Sequence, residues 1–186
     1  MGIKVAIGQD SHRFDAAQIG GAGADAIKDS VGGGVTSARN RTDVSADRPL
    51  VLGGVVFEGG PPLEGNSDAD VVLHALCNAI SGVTGVNILG DTADRMLIER
   101  GTADSAEYVR EAMKHLGGYR IAHASFSIEC ARPAISPRIP EMRENIAALT
   151  GAGLSGVGIT ATSGEGLTDF GRGLGIQVFC VVTAER

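Results

Sequence analysis

Residues 3–14 have the sequence IKVAIGQDSHRF, in which an apolar run leads directly into a polar segment. We predict that residues 3–9 form a β-strand. Because alternate side chains of an extended chain point to the same side, the carboxylate of Asp10 and the imidazole of His12 can converge just past the strand end. One oxygen and one nitrogen ligand suit zinc, which needs at least one further protein ligand. A D-x-H triplet also arises easily by chance, so a surface Asp beside a hydrogen-bonded His stays open as the alternative.

The composition of the chain limits the class of protein to which it can belong. Its 186 residues favour one domain with a sizeable core. Hydrophobic residues make up 43% and aromatic residues 4%, and 28 residues are glycine, so we expect a core of Val, Ile, Leu and Ala. The net charge is −6 and there is no basic block, which argues against nucleic acid as the main partner.

The cysteines indicate the redox environment. Cys77, Cys130 and Cys180 are odd in number, far apart in the sequence and each placed in an apolar run. We expect them to be reduced, buried thiols of a cytoplasmic protein. The sequence has no signal-peptide pattern and no apolar run long enough to span a bilayer, so we expect no membrane association.

A long segment at about 15–48 follows the first strand and has no sustained helical or strand pattern. Gly, Ala, Ser and Asp dominate it, and only a short helical piece around 24–29 stands out. Loops of this length are usually functional lids or disordered. A lid beside Asp10 and His12 is one interpretation, and a flexible insertion into a single domain of residues 1–186 is the one that we favour.

Strand and helix patterns alternate along the rest of the chain. Residues 84–103 give no clear pattern and are predicted as a loop. Together the patterns indicate an α/β (α+β) sandwich, with a single mixed β-sheet and helices packed on one face. The further predicted strands cover residues 50–57, 119–130, 157–161 and 175–183, and the predicted helices cover about 68–82, 104–116 and 138–149.

The predicted helix at 68–82 offers a third metal ligand. Asn66 or Ser67 is a suitable N-cap, and the free N–H groups there form an anion site. Asp70 and His74 are four residues apart and therefore share a face of the helix. His74 is a candidate ligand, although a histidine inside an apolar helix is more often a hydrogen-bonded core residue.

A second polar block lies between the last two predicted strands, at 162–172. It combines the hydroxyl groups of Thr162 and Ser163, the carboxylate of Glu165, several glycines and Arg172. This mixture suits a phosphate-binding loop with a carboxylate ligand for a divalent metal ion. A polar, glycine-rich connection without a ligand is the alternative.

Five blocks occur in order along the chain. In this combination they resemble the 2-C-methyl-D-erythritol 2,4-cyclodiphosphate synthase family over nearly the whole chain apart from 15–48. The blocks are DSHRF at 10–14, LGG at 52–54, NSDADVVLHAL at 66–76, PAISPRIPEMR at 133–143, and ATSGEGL with GRGLGI at 161–167 and 171–176.

The activity that this resemblance implies is a ring closure in the non-mevalonate isoprenoid pathway. A lyase of this kind converts 4-diphosphocytidyl-2-C-methyl-D-erythritol 2-phosphate to 2-C-methyl-D-erythritol 2,4-cyclodiphosphate and releases CMP. Because the attacking 2-phosphate is already an anion, the reaction needs orientation and charge neutralisation more than a strong base. The family is homotrimeric with active sites between subunits, and we expect the same assembly here.

The resemblance also implies roles for individual residues. The zinc ligands would be Asp10, His12 and His74. Glu165 would hold a second ion, magnesium or manganese, that bridges two phosphates. The implied phosphate and substrate contacts are Asn66, Ser67, Asp70, Thr162, Ser163 and Arg172, and the implied cytosine-binding loop is formed by Ala134, Ile135 and Ser136.

Some positions depart from the family pattern. Asn66 stands where the family has a histidine, and Ala134 stands where it usually has a lysine. A family aspartate aligns either with the residues at 87–90 or, in a shifted alignment that we prefer, with Asp91. Two other readings therefore stay open, a divergent homologue acting on a different nucleotide-linked phosphate ester and a non-catalytic, zinc-stabilised trimer that binds a phosphorylated ligand.

Overall fold

A four-stranded mixed β-sheet forms the centre of the fold in this computed structural model, which describes residues 2–15 and 48–186. The strand order is β1-β6-β4-β5. β6 is antiparallel to β1 and β4, while β4 and β5 are parallel, so β1, β4 and β5 end at the same side of the sheet. The α/β class with one mixed sheet and helices is confirmed. The strands are β1 (Ile3–Arg13), β4 (Arg120–Glu129), β5 (Val157–Thr162) and β6 (Gly175–Glu185).

Strand β1 is longer than the sequence predicted. It continues beyond residue 9 because its hydrogen-bonded ladder with β6 extends to the pair Arg13 and Gly175. Asp10 and His12 therefore lie inside the strand and not just past its end, which corrects the sequence-based expectation. Their side chains still project from the same face, as the two-residue period requires.

The predicted strand at 50–57 is a hairpin of two short strands, β2 (Leu50–Leu52) and β3 (Val55–Phe57). Gly53 and Gly54 form its turn with φ values of 59° and 73°, a region that glycine enters without steric cost. The Gly-Gly pair therefore forms a turn between two strands and not a bulge in one continuous strand. The hairpin forms its own two-stranded sheet beside the main one.

Four α-helices accompany the strands in the described part of the chain. The predicted helix at 68–82 begins later, because Asp70 is its N-cap and accepts hydrogen bonds from the N–H groups of Val72 and Leu73. Asn66 and Ser67 are therefore not the N-cap. The helices are α1 (Val71–Thr84), α2 (Asp91–Arg100), α3 (Ser105–Met113) and α4 (Ile139–Thr150).

Helix α2 lies in the segment predicted as a loop, and that prediction is wrong. Met96 is its only buried side chain, so the helix lacks the apolar face that a sequence pattern detects. Its signals are electrostatic: Asp91 and Asp94 lie in the first turn, Arg100 lies in the last turn, and Gly101 ends the helix in a left-handed conformation.

Helix α1 packs closely across strands β1 and β6, and this contact builds the metal site. A Cβ atom on Gly8 would lie 2.2 Å from the carbonyl oxygen of Ala75 and 2.3 Å from the nitrogen of Ala79. Only glycine allows the helix to approach the strand so closely. The helices cover this face of the sheet, while Ile3, Val5 and Ile7 on the opposite face are exposed.

The predicted insertion at 15–48 and the helical piece around 24–29 lie outside the described residues, apart from the two ends Asp15 and Arg48. Both ends attach to the same loop. The Asp15 N–H donates to the carbonyl oxygen of Pro62, and the Arg48 guanidinium donates to the carbonyl oxygens of Leu63 and Ser67. Within the described ranges, none of the helices combines the length and apolar character needed to cross a bilayer.

Candidate metal centre and active site

Asp10, His12 and His74 meet where the end of β1 passes the first turn of α1. The Asp10 Oδ2 atom lies 3.0 Å from His12 Nε2 and 3.0 Å from His74 Nδ1, and the two nitrogens are 3.3 Å apart. One ligand atom from each residue lies within 4.8 Å of the others. The three side chains that the sequence analysis selected can therefore hold one metal ion together.

Each imidazole forms a hydrogen bond through its outer nitrogen, and its inner nitrogen faces Asp10. His12 Nδ1 lies 2.7 Å from the carbonyl oxygen of Glu64, so it carries the proton and leaves Nε2 as the inner atom. His74 Nε2 lies 2.9 Å from Ser105 Oγ, which leaves Nδ1 as the inner atom. Two imidazole nitrogens and one carboxylate oxygen facing one point are a donor set that fits a divalent metal ion.

The electrostatics of the cluster favour a charged Asp10. Burial alone would raise the pKa of Asp10, but hydrogen bonds with His12 and His74 outweigh it and hold the pKa far below its usual range. Burial acts to lower the pKa of His12, yet the hydrogen bond and charge of Asp10 outweigh burial and raise that pKa. The carboxylate is thus ionised and ready to bind a cation at any ordinary pH.

A cavity of about 400 Å³ opens beside the three ligands. Asn66 and Ser67, for which substrate contacts were predicted, line this cavity. Four further polar residues also line the cavity, and none of them was predicted as a substrate contact. They come from α1, α2, α3 and the α1–α2 connection. These are Asn78, Asn87, Asp94 and Tyr108.

Asp70 does not face this cavity, which corrects its expected role as a substrate contact. Its carboxylate is fully buried and accepts hydrogen bonds from the N–H groups of Gly53 and Gly54 at 2.8 and 2.6 Å. The same carboxylate caps α1. Asp70 therefore joins the hairpin turn to the helix that carries His74, and has no free oxygen for a ligand.

Asp91 is also displaced from its expected role. It is exposed at the start of α2 and does not line the cavity, whereas Asp94, one helical turn later, does. Asp91 and Asp94 are three residues apart and therefore lie on the same side of α2, so their positions along the helix decide which of them lines the cavity. The helix was not predicted from the sequence, so its position beside the cavity was the missing information.

Thr162, Ser163, Glu165 and Arg172 form a separate, exposed cluster after β5. The Thr162 hydroxyl accepts from the Gly164 N–H at 3.2 Å, and the Ser163 hydroxyl lies 3.4 Å from Glu165 Oε1. Arg172 pairs with Asp169 at 2.6 Å. Glu165 has a φ of 51°, so its backbone holds the carboxylate outward in a conformation uncommon for a non-glycine residue.

The expected cytosine-binding loop lies beside this second cluster. The Cys130 N–H donates to the carbonyl oxygen of Thr162 at 3.1 Å, and the Ala131 N–H donates to that of Phe170 at 3.0 Å. In the loop that follows, Ala134 and Ser136 are exposed while Ile135 is buried. The expected nucleotide and phosphate contacts of the C-terminal half are thus neighbours on one surface.

The two groups of residues lie at the same end of the sheet and on opposite edges. Asp10 lies on edge strand β1 and pairs with Val178, while Thr162 ends the other edge strand β5 and pairs with Glu129. Three strand spacings of about 4.8 Å place roughly 14 Å between them. Within one chain, the triad and the strand end that leads to Glu165 therefore lie on opposite edges of the sheet.

Comparisons with known proteins agree with this geometry. The family model described as the YgbB family matches residues 3–185. The 2-C-methyl-D-erythritol 2,4-cyclodiphosphate synthase of Chlamydia abortus is 43% identical over 181 residues, which cover 97% of this chain and 88% of the relative. The synthase of Chlamydia muridarum is 44% identical over 181 residues, covering 97% of this chain and 86% of the relative.

Solved structures share the fold. The bifunctional IspDF from Campylobacter jejuni superimposes with a TM-score of 0.75 at 23% identity, covering 98% of this chain and 42% of that one. The cyclodiphosphate synthase from Plasmodium vivax gives a TM-score of 0.71 at 22% identity, covering 100% and 99% of the two chains. The chain therefore belongs to the YgbB family, the family of the 2-C-methyl-D-erythritol 2,4-cyclodiphosphate synthases.

Proposed function

We propose that this chain is a metal-dependent lyase that cyclises 4-diphosphocytidyl-2-C-methyl-D-erythritol 2-phosphate and releases CMP. The observation that carries the proposal is the convergence of Asp10, His12 and His74 beside a polar cavity, in a chain 43% identical to a named cyclodiphosphate synthase. Zinc is the proposed ion at the three ligands, because two imidazoles and one carboxylate leave a position open for a phosphate oxygen.

The protein's own residues orient the phosphates. The Ser67 hydroxyl and the Asn66 amide line the cavity next to the triad and are proposed to hold the attacking 2-phosphate. Glu165 is proposed to hold magnesium or manganese, with Thr162, Ser163 and Arg172 beside it as contacts of the diphosphate. When bound, the two ions supply positive charge that neutralises the phosphates and stabilises the charge developing on CMP. The loop of Ala134, Ile135 and Ser136 is proposed to hold the cytosine.

We also propose a homotrimer with its sites between subunits, and the separation of these two groups supports it. Because the triad and Glu165 occupy opposite edges of one sheet, a complete site needs the triad edge of one protomer against the Glu165 edge of another. The exposed face of the sheet supports such an assembly. Its β1 side chains Ile3, Val5 and Ile7 are 63–64% exposed, and Phe179 and Val181 of β6 lie beside them, an unusual apolar surface for a monomer.

A cytoplasmic location is also proposed. Cys77, Cys130 and Cys180 are all free thiols and all buried. Burial raises the pKa of Cys77 to about 12 and that of Cys130 to about 11, so these thiols are unreactive core residues. Reduced cysteines of this kind suit a reducing compartment.

Release of CMP from the purified protein tests the proposed activity. The protein is incubated with the cytidine-diphosphate substrate, zinc and magnesium, and CMP is quantified by chromatography. We expect turnover, and we expect Glu165→Gln to reduce it by about 100-fold or more because the second ion loses a charged ligand. Glu165 is exposed, so the variant should keep the thermal stability of the parent.

Other results of this assay would favour one of the two alternative functions. Absence of CMP release, together with turnover of a different nucleotide-linked phosphate ester, would indicate a divergent specificity. Asn66 is the observation that favours this second candidate, since it lines the cavity with a neutral amide where the family has a histidine. Retained ligand binding without turnover of any ester would indicate a non-catalytic trimer.

A further inference from the structure

A chain of hydrogen bonds lies behind His74, on the side away from Asp10 and His12. The His74 Nε2 atom is 2.9 Å from Ser105 Oγ, and Ser105 Oγ in turn contacts Asp68 Oδ1. The Ser105 N–H donates to Asp68 Oδ2 at 3.0 Å. Ser105 is completely buried, so water does not compete for these contacts. Neither Ser105 nor Asp68 has a role in the function described so far.

The direction of each hydrogen bond follows from the number of protons available. An ionised carboxylate only accepts hydrogen bonds, and a hydroxyl has one proton to donate. The Ser105 hydroxyl therefore donates to Asp68. Its oxygen must then accept from His74, which places the proton of the neutral imidazole on Nε2. Ser67 Oγ, 3.5 Å from the same nitrogen, is the other hydroxyl nearby and accepts from the Ala69 N–H.

We propose that Asp68 and Ser105 are positioning residues that fix His74 as the tautomer with a free Nδ1. Nδ1 is the atom that faces Asp10 Oδ2 at 3.0 Å and His12 Nε2 at 3.3 Å, so its lone pair is aimed at the position of the metal ion. This inference rests on the metal site of the proposed function. Outer hydrogen bonds of this kind orient a ligating imidazole and increase its basicity.

Hydrogen bonds with the surrounding backbone fix the position of Asp68. The Asp68 N–H donates to the carbonyl oxygen of Ala103 at 2.8 Å, which ties the loop before α1 to the start of α3. Asp68 Oδ1 also accepts from the Asp70 N–H at 3.1 Å. Asp68 thus accepts three hydrogen bonds and cannot rotate away without breaking all of them. His74 is therefore supported from an element other than its own helix.

Zinc affinity measured without substrate tests the proposal. The metal-free protein competes with a chromophoric chelator for zinc at pH 8, which yields a dissociation constant. Ser105→Ala should weaken zinc binding by about 10–100-fold, the usual effect of removing an outer hydrogen bond from a metal ligand. Ser105→Thr keeps the hydroxyl and should restore most of the affinity.

Asp68→Asn tests the direction of the hydrogen bonds. The asparagine amide can donate to the Ser105 oxygen, which frees the serine proton to point at His74 and favours the tautomer protonated on Nδ1. We expect a loss of zinc affinity at least as large as that of Ser105→Ala. In the metal-free protein, Asp10 favours a proton on Nδ1 of His74 and Ser105 favours one on Nε2, so ¹⁵N chemical shifts of the imidazoles should show a larger fraction of the Nε2 tautomer in the wild type than in Ser105→Ala.

Asp104→Ala is the matched control for damage to helix α3. The Asp104 side chain caps the same helix by accepting from the Ala106 N–H at 2.8 Å and does not contact His74. It should lower thermal stability while leaving zinc affinity unchanged. If Ser105→Ala and Asp68→Asn also lose only stability and keep both zinc affinity and the Nε2 tautomer, the proposal is wrong. Failure of the wild-type protein to bind zinc would instead refute the metal site itself.

Discussion

In the proposed metal site, a proton and a metal ion compete for the same nitrogen of His12, Nε2. Burial acts to lower the pKa of His12, but the hydrogen bond and charge of Asp10 outweigh burial and raise it, so His12 of the metal-free protein keeps its proton to a higher pH than a free imidazole. Metal binding needs the neutral imidazole and must release that proton. Asp10, whose pKa is strongly lowered, stays ionised over the same range and adds no pH dependence.

We therefore predict that the apparent zinc affinity falls as the pH is lowered from 8 to 6. Below the pKa of His12 the decrease should approach about tenfold per pH unit, which corresponds to one proton displaced per ion. Calorimetry in two buffers with different heats of ionisation would count the protons released. In the metal-free protein, the stability of the fold depends on pH in the opposite direction to the zinc affinity. The raised pKa of His12 contributes stability that is complete below pH 6.5 and is lost as the pH rises through the folded-state pKa.

We predict that Asp94 contributes to turnover and that Asp91 does not. Asp94 and Asp10 are the only carboxylates that line the cavity within the described ranges, and Asp94 is the one not occupied by the triad. Such a carboxylate can accept hydrogen bonds from substrate hydroxyl groups. Asp94→Asn should lower kcat/KM by about 10–100-fold, since hydrogen bonds to a charged group contribute about 1.5–3 kcal/mol.

Asp91→Asn is the matched control, because it removes the same charge from the start of the same helix at an exposed residue that does not line the cavity. It should leave kcat/KM close to the wild-type value. Steady-state CMP release by both variants at a range of substrate concentrations would measure the difference. Equal loss in the two variants would mean that the effect comes from the charge of the α2 N-terminus and not from a contact in the cavity.

At the scale of elements, the metal site depends on how closely α1 crosses β1. The three atoms nearest to a Cβ on Gly8 all belong to the backbone of α1 at Ala75 and Ala79, so rotation of a side chain cannot relieve these contacts. Gly8→Ala must push the helix that carries His74 away from the strand that carries Asp10. We expect a loss of stability of about 1–3 kcal/mol or more, typical of overpacking, together with weaker zinc binding.

Gly82→Ala provides the comparison at the same helix–strand contact. A Cβ there would lie 3.0 Å from the Cβ of Ala6, a side-chain contact that a small shift relieves, and alanine also favours the helix. Urea denaturation and zinc titration of both variants would test the difference. A Gly8→Ala protein as stable as Gly82→Ala and with unchanged zinc affinity would contradict this account of the helix contact.

Contacts between elements also explain which features could be predicted from the sequence alone and which could not. Asp10, His12 and His74 could be selected because D-x-H next to a predicted strand is a local pattern and His74 belongs to a block with a family resemblance. Helix α2 was missed because its single buried residue leaves no apolar period. The role of Asp70 depends on two glycines 16 and 17 residues away, and that of Ser105 on a histidine 31 residues away. Contacts at such separations have no signature in one sequence.

At the scale of the whole molecule, the two halves of the proposed site are separated by the width of the sheet. Each protomer carries a triad on edge strand β1 and Glu165 after edge strand β5. A cyclic trimer repeats one contact between two different surfaces of the chain, so in the proposed trimer each interface would join the triad edge of one protomer to the Glu165 edge of the next. Such an assembly would complete each proposed site with residues of two chains.

Mixing two inactive variants tests this arrangement directly. Asp10→Ala removes a ligand of the triad, Glu165→Gln removes the ligand of the second ion, and each homotrimer should be inactive. When the two chains are denatured and refolded together in equal amounts, a site is intact if its triad comes from a Glu165→Gln chain and its Glu165 from an Asp10→Ala chain. Random assembly gives that combination at about one site in four, so roughly a quarter of the wild-type CMP release should return.

The control for this mixture is each variant refolded alone at the same total concentration, which should recover no activity. Recovery in the mixture requires that one site draw Asp10 and Glu165 from different chains, because no single chain in the mixture contains both. If the mixture stays inactive while native mass spectrometry shows mixed trimers, both groups must act within one chain. That result would require the Glu165 loop to cross about 14 Å of sheet, a rearrangement that the hydrogen bonds from Cys130 to Thr162 and from Ala131 to Phe170 oppose.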